Sequence, residues 1–420
     1  MQPQTLLPIL LGGALAAGGI LQGLKWRNEA AMAQQEDHAG RLAALQEQVA
    51  LLERENESLR SLAQGGGEIH VPPALVEFAE ARVGLDYKSS PVIHQIASEE
   101  LGDRIIASIE SRFPPNELSY REQAWQTLGL LGPDDRFAPQ LSLTRSLGAR
   151  AWFDDQTGDA WVTNRFRHDH VPDQSSLLRA LVRILLHQHY PPVPGYLGDE
   201  ADRARTALHH GTAMAVENQF LARQALGMGF TGSMDQGGAE RDLLNSLPAF
   251  IRGLAVFPSQ FGQPFASQKM QQEEILSALH EPPTHTAAFF LESLPELPPL
   301  ELAPAPGEPV LEESLGMLGL GLWLSTLDPE LAELAQTWRG DLYQLHARSD
   351  LQLDLRWVVE VADPQSAQSL LEAALGMIGL IADLEADPAA AEVTETIDGT
   401  RLRAQLITPT RLEFHHLAAD

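Results

Sequence analysis

The apolar pattern begins with an unbroken run from Leu6 to Leu24, LLPILLGGALAAGGILQGL, closed by Lys25, Trp26 and Arg27. An uncharged stretch of this length crosses a bilayer as one helix, and a basic, aromatic flank suits its interface. A transmembrane anchor over 6–24 is therefore expected. The rival reading is a cleaved signal peptide using the small residues Ala14, Ala16 and Ala17, but the stretch before Leu6 lacks the basic side chain such a leader carries. From 36 to 63 the period changes. Leu42, Val49, Asn56 and Ala63 fall on one seam position and Leu45, Leu52 and Leu59 on the other, with the alternating spacing of a coiled coil. Asn56, polar at an a-type position, is the residue type that fixes register and favours a parallel homodimer. A solitary amphipathic stalk is the alternative. Gly65, Gly66 and Gly67 then mark a hinge over 64–72.

Beyond the hinge, helical spacing predicts helices over 74–82, 92–112 and 119–130. Alternation from Ala151 to Val162 around the turn-forming Asp154 to Asp159 predicts a hairpin. Two longer helices follow over 175–190 and 199–227, separated by Pro191, Pro192, Pro194 and Gly195, and another covers 240–255. A proline-rich extended connection covers 294–309. After it the pattern predicts a buried helix over 311–323, a strand over 351–361, a helix over 364–384 and short strands over 391–414 turning at Asp398 and Gly399. The fold class expected is α+β with helices dominant: a helical core over 73–309 and a C-terminal α+β part over 310–417 packed on it.

Charge removes several functions from consideration. With 29 basic against 57 acidic residues and a formal charge of -28, the chain has no basis for a nucleic-acid footprint, which needs a basic face. A cationic partner or simple solubility fits better. Cysteine is absent, which excludes disulfides, thiolate metal sites and thiol nucleophiles. No Walker-type phosphate loop or GxSxG elbow occurs, and the glycine run from 226 to 238 lacks a GK[ST] ending.

Candidate chemistry centres on the long helix pair. LVRILLHQHY at 181–190 and TALHHGTAMAVENQFL at 206–221 resemble the paired helices of gluzincin-like bacterial zinc peptidases, in which HExxH runs into a DQH-aromatic ending and an EG-containing helix follows. Other segments resemble that family in the same order: LGLLGPDDRF at 128–137, ARAWFDDQTGDAWV at 149–162, LHEPPTHTAAFF at 279–290, and Trp338, Arg339, Gly340 and Asp341 followed by Trp357. The resemblance covers roughly 128–417.

Such peptidases need two histidines at i and i+4, a glutamate beside the first as general base, and a third ligand from the second helix. By the resemblance, the histidine positions fall on Arg179 and Arg183, the base on Ala180 and the third ligand on His210. One imidazole does not hold zinc, two guanidinium groups repel a divalent cation, and alanine takes no proton from water. The expectation is a membrane-anchored pseudopeptidase without metal or other cofactor, acting as a binding or scaffolding element for a protein or peptide partner. Arg179 and Arg183 then either form salt bridges, with Glu217 as a candidate partner, or bind an anion such as a peptide C-terminus. Two alternatives remain: an active hydrolase with a relocated metal site drawn from His168, His170, His187, His189, His209, His210, Asp169 and Glu217, and a purely architectural domain. His187 and His189, at i and i+2 on a helix, diverge too far to chelate one ion. The side of the membrane stays open, since Lys25 and Arg27 favour a cytoplasmic flank and the resemblance the opposite.

Overall fold

The computed structural model describes residues 71–192, 196–228, 238–294, 296–302, 309–348, 353–382, 392–397 and 400–418, with the single positions 49 and 69. The expected anchor at 6–24, the seam of 36–63 apart from Val49 and including Asn56, and the hinge at 64–72 apart from Ile69, Val71 and Pro72 lie outside the described residues. Among those that are described, no helix is long and apolar enough to cross a membrane. The described residues form a helix-dominated α+β fold.

Helix α1 spans Pro73–Val83, with a proline in its first turn where the missing N–H has no helical partner to lose. Gly84 ends it in the left-handed conformation at φ +81°, which suits glycine. The helix expected over 92–112 divides: Ile93–Ile96 is strand β1, and α2 covers Leu101–Ser111. β-Branched Val92, Ile93 and Ile96 satisfy either period locally, and pairing with the hairpin decides the outcome. Helix α3 follows at Glu117–Thr127, then α4 at Phe137–Ser146, which the apolar spacing did not reveal. The hairpin of β2 (Ala151–Phe153) and β3 (Ala160–Thr163) forms as expected, Trp152 opposite Trp161. Strand β1 joins β3 in parallel, so the small sheet runs β1-β3-β2.

The long helices are α5 (Val171–His189) and α6 (Asp199–Met228). Leu177, Leu178, Leu181, Val182, Leu185 and Leu186 are fully buried where α5 packs against α6, α1 and the hairpin. Next come α7 (Gly238–Asn245) and α8 (Ala249–Phe257); Pro248, which cannot continue a helix, divides the single element expected over 240–255. A π-helical turn at Pro258–Gly262 leads into α9 (Gln263–Gln271) and α10 (Ile275–His280). That turn crosses α6 closely, since a Cβ on Gly211 would lie 2.2 Å from the Gly262 carbonyl carbon.

The C-terminal part consists of β4 (Pro309–Glu313), α11 (Gly316–Leu327), β5 (Trp338–Ala347), β6 (Leu353–Val361), α12 (Pro364–Ala382), β7 (Glu392–Ile397), β8 (Thr400–Thr408) and β9 (Arg411–Ala418). Leu311 is therefore on a strand, and the helix expected from it starts five residues later. The antiparallel sheet has the order β4-β5-β6-β9-β8-β7; the expected turn residues Asp398 and Gly399 lie outside the described residues.

One hydrophobic core joins the two parts. Ile105 and Trp125 belong to the same buried cluster as Trp323, Trp357, Leu371 and Phe414. The Trp323 indole meets Trp357 edge-on at 5.0 Å and donates to the Leu128 carbonyl at 2.9 Å. Asp341 anchors the start of α11. Its carboxylate accepts from Leu315 N (2.8 Å), Gly316 N (2.9 Å), Ser314 Oγ (2.7 Å) and the indoles of Trp338 (2.9 Å) and Trp357 (3.0 Å). An acidic group at a helix N-terminus that satisfies the unpaired amides there is favourable both as a cap and against the helix dipole.

Candidate functional site

A cavity of about 500 Å³ lies where α5 faces α6, closed off by α2, α4, the hairpin and the end of α8. Arg179, Ala180 and Arg183 line it from α5 and His210 from α6. The i, i+1, i+4 spacing puts the first three on neighbouring positions of one helical face. All four positions singled out by the resemblance thus meet at one cavity, whereas Glu217 is not part of its lining.

Each arginine has a local carboxylate. Arg179 Nε lies 3.4 Å from Glu217, which also accepts from Ser175 Oγ at 3.0 Å. Burial pushes the Glu217 carboxyl up, and Arg179 opposes that shift. Arg183 pairs with Asp155 at the turn of the hairpin. That contact does not offset its surroundings. Burial first, then the charges of Arg145, Arg112 and Arg205, push the Arg183 guanidinium down to about 9, leaving it cationic at neutral pH. Its Nε has no hydrogen-bond partner among the described residues. Burial and then the charges of Arg183, Arg145, Arg179 and His209 hold the His210 imidazole well below its ordinary pKa, so it is neutral.

Arg112, Arg145 and Arg203 join Arg179 and Arg183 on the lining, giving five arginines against the three carboxylates of Asp155, Asp199 and Asp202. Arg112 pairs with Asp202. Asp199 is shared: Arg203 reaches it at 3.0 Å and Arg121, buried behind it, at 2.9 Å. Arg121 also binds Glu117 at 2.8 Å and Glu313, tying α3, α6 and β4 together. Arg145 alone of the five has no ion pair or hydrogen bond among the described residues. Burial and the neighbouring charge of Arg112 push it down to about 10, and Asp202 opposes the shift without pairing with it. In a chain of strongly negative net charge, this interior is locally cationic.

No group of three or more histidine, aspartate or glutamate side chains among the described residues is placed to hold a metal ion. The histidine pairs separate instead. His170 Nδ1 is 2.9 Å from Asp173, His189 Nε2 is 2.8 Å from the Asp86 carbonyl oxygen, and His187 meets Phe153 edge-on at 5.8 Å. His209 is buried and neutral, lowered by desolvation and then by Arg183 and Arg205. Sequence reasoning missed Arg112, Arg145 and Arg203. Their shared cavity comes from tertiary packing, and none stands in a motif. Comparison with family models, with curated proteins and with solved structures finds no match for the chain.

Proposed function

We propose that the chain is a membrane-anchored, non-catalytic protein with a zinc-peptidase-like core, and that it binds or scaffolds a partner instead of cleaving one. The reading rests on one observation above all: Arg179, Ala180, Arg183 and His210 line a single cavity in which the groups for zinc hydrolysis are replaced by cations and a methyl group. Zinc hydrolysis needs three protein ligands around a cation and a base to take a proton from water. Here the lining carries a surplus of positive charge and a neutral imidazole, and Ala180 has no proton acceptor. The sequence features over 6–24 and 36–63 support tethering and parallel pairing.

A second reading has its own support. The Arg179–Glu217 and Arg183–Asp155 pairs neutralise the two arginines that replace the histidines, as an architectural domain with a sealed pocket requires. Against it stand the cavity that remains and Arg145, which nothing pairs among the described residues.

The test is the zinc content of the purified full chain, by elemental analysis, together with hydrolysis of a peptide library. A non-catalytic protein yields neither stoichiometric zinc nor chelator-sensitive cleavage. One zinc per chain with such cleavage defeats the proposal.

A further inference from the structure

We propose that the cavity between α5 and α6 is a carboxylate-binding pocket, with Arg145 as the principal anchor and Arg183 as its buried partner, for an acid with an apolar or aromatic body. This inference rests on the non-catalytic reading above and specifies what that site binds.

A cation held inside a protein is paired, unless the site exists to pair it with something else. Arg112, Arg183 and Arg203 have carboxylates on the cavity lining, and Arg179 has Glu217 behind it. Arg145 has none among the described residues, and Arg183 keeps one buried donor, Nε, without a partner. A guanidinium fork matches the two oxygens of a carboxylate, and a single surplus cation suits a monoanion better than a dianionic phosphate. The rest of the lining is suited to a hydrocarbon body: Trp152 and Phe153 from the hairpin, and Phe257 at the end of α8. A volume of about 500 Å³ falls within the range of small-ligand sites, roughly 300–1,000 Å³. A peptide C-terminus with an apolar last residue and a free medium-chain acid share this chemistry.

Titration calorimetry of the full chain in detergent micelles with N-acetyl-leucyl-phenylalanine and with octanoate, each beside its amide and beside inorganic phosphate, tests the proposal. At least one acid is expected to bind about tenfold or more tightly than its amide and than phosphate, and the tighter acid identifies the source. Arg145→Gln is expected to weaken that acid about tenfold or more with little change in the melting temperature of the unliganded chain, because Arg145 is half-buried and makes no ion pair or hydrogen bond among the described residues. Equal binding of acid and amide, phosphate binding as tight as the acids, or unchanged acid affinity in Arg145→Gln would overturn the proposal. Arg179→Gln, at a side chain 38% exposed, supplies a second variant with little risk to folding; it should weaken the acid less than Arg145→Gln, and a larger loss there would reject Arg145 as the anchor. A chain free of zinc and of peptidase activity that fails these titrations refutes the pocket alone, whereas zinc-dependent cleavage refutes the underlying reading.

Discussion

Asp341→Ala should destabilise the fold more than a single buried side chain ordinarily does, because one carboxylate serves five donors. The Ser314 hydroxyl can rotate to another acceptor. The Gly316 amide keeps Ser314 Oγ as an acceptor at 3.1 Å, but the Leu315 amide and the indoles of Trp338 and Trp357 are fixed, and removing Asp341 leaves these three facing a methyl group. At about 1.5–3 kcal/mol for each of three lost bonds to a charged acceptor, less the relief of no longer burying that charge, the loss comes to about 3–6 kcal/mol. That is a large share of a typical stability of about 5–15 kcal/mol. At about 2 °C per kcal/mol for a large folded unit, the melting temperature should fall by roughly 6–12 °C in calorimetry. Near-ultraviolet circular dichroism should change as well, since both indoles lose their acceptor. Asp341→Asn, which retains one accepting oxygen, should lie between. A loss below about 1 kcal/mol in Asp341→Ala would refute the reasoning, because it would mean that the five contacts do not hold α11 against β5 and β6.

Arg121→Met should cost about 3 kcal/mol or more by chemical denaturation, since it leaves Asp199 and Glu313 buried with fewer cationic partners; no measurable loss would show the network to be dispensable. Burial pushes the Glu200 carboxyl, which accepts from Thr286 N and Oγ1 beside Gly316, up to about 8, with Arg203 opposing the shift and Asp341 adding to it. The folded state then holds a proton that the unfolded chain releases at an ordinary glutamate pKa, so stability falls as pH rises from about 4.5 to 8. Glu200→Gln should flatten that slope and stabilise the chain at pH 8 relative to pH 5, and an unaltered pH profile would contradict the assignment. Gly211→Ala should destabilise by about 1–3 kcal/mol, because its methyl group would collide with the Gly262 backbone; a neutral effect would show that α6 and the π-helical turn can separate.

The elements that were legible in the sequence are those whose own period decides their structure. Helices α5 and α6 repeat apolar positions over many turns, and their observed limits lie within a few residues of those expected. The hairpin at Ala151–Thr163 was legible because alternation and turn residues agree. Ile93–Ile96 was not, because four residues cannot establish a period and the partner strand lies more than sixty residues away. Likewise Leu311 keeps helical spacing with Leu315 and Leu318, and only pairing with β5 separates its strand from α11.

The candidate site divides in the same way. Arg179, Ala180, Arg183 and His210 could be singled out because helical spacing fixes which residues share a face. Arg145 carries no such signal. It sits in the last turn of an unanticipated helix, and its importance comes from arginines and carboxylates brought in by α2, α5 and α6. Charge count even pointed away from it, since a net charge of -28 conceals a cationic interior.

The most direct test of the central claim is a zinc titration of the full chain beside the variant carrying Arg179→His, Ala180→Glu, Arg183→His and His210→Glu. If these positions surround one former metal site, the variant, once shown to be folded by circular dichroism, should take up one zinc per chain at neutral pH, and the natural chain should take up none. Stoichiometric zinc in the natural chain, or none in the folded variant, would contradict the account.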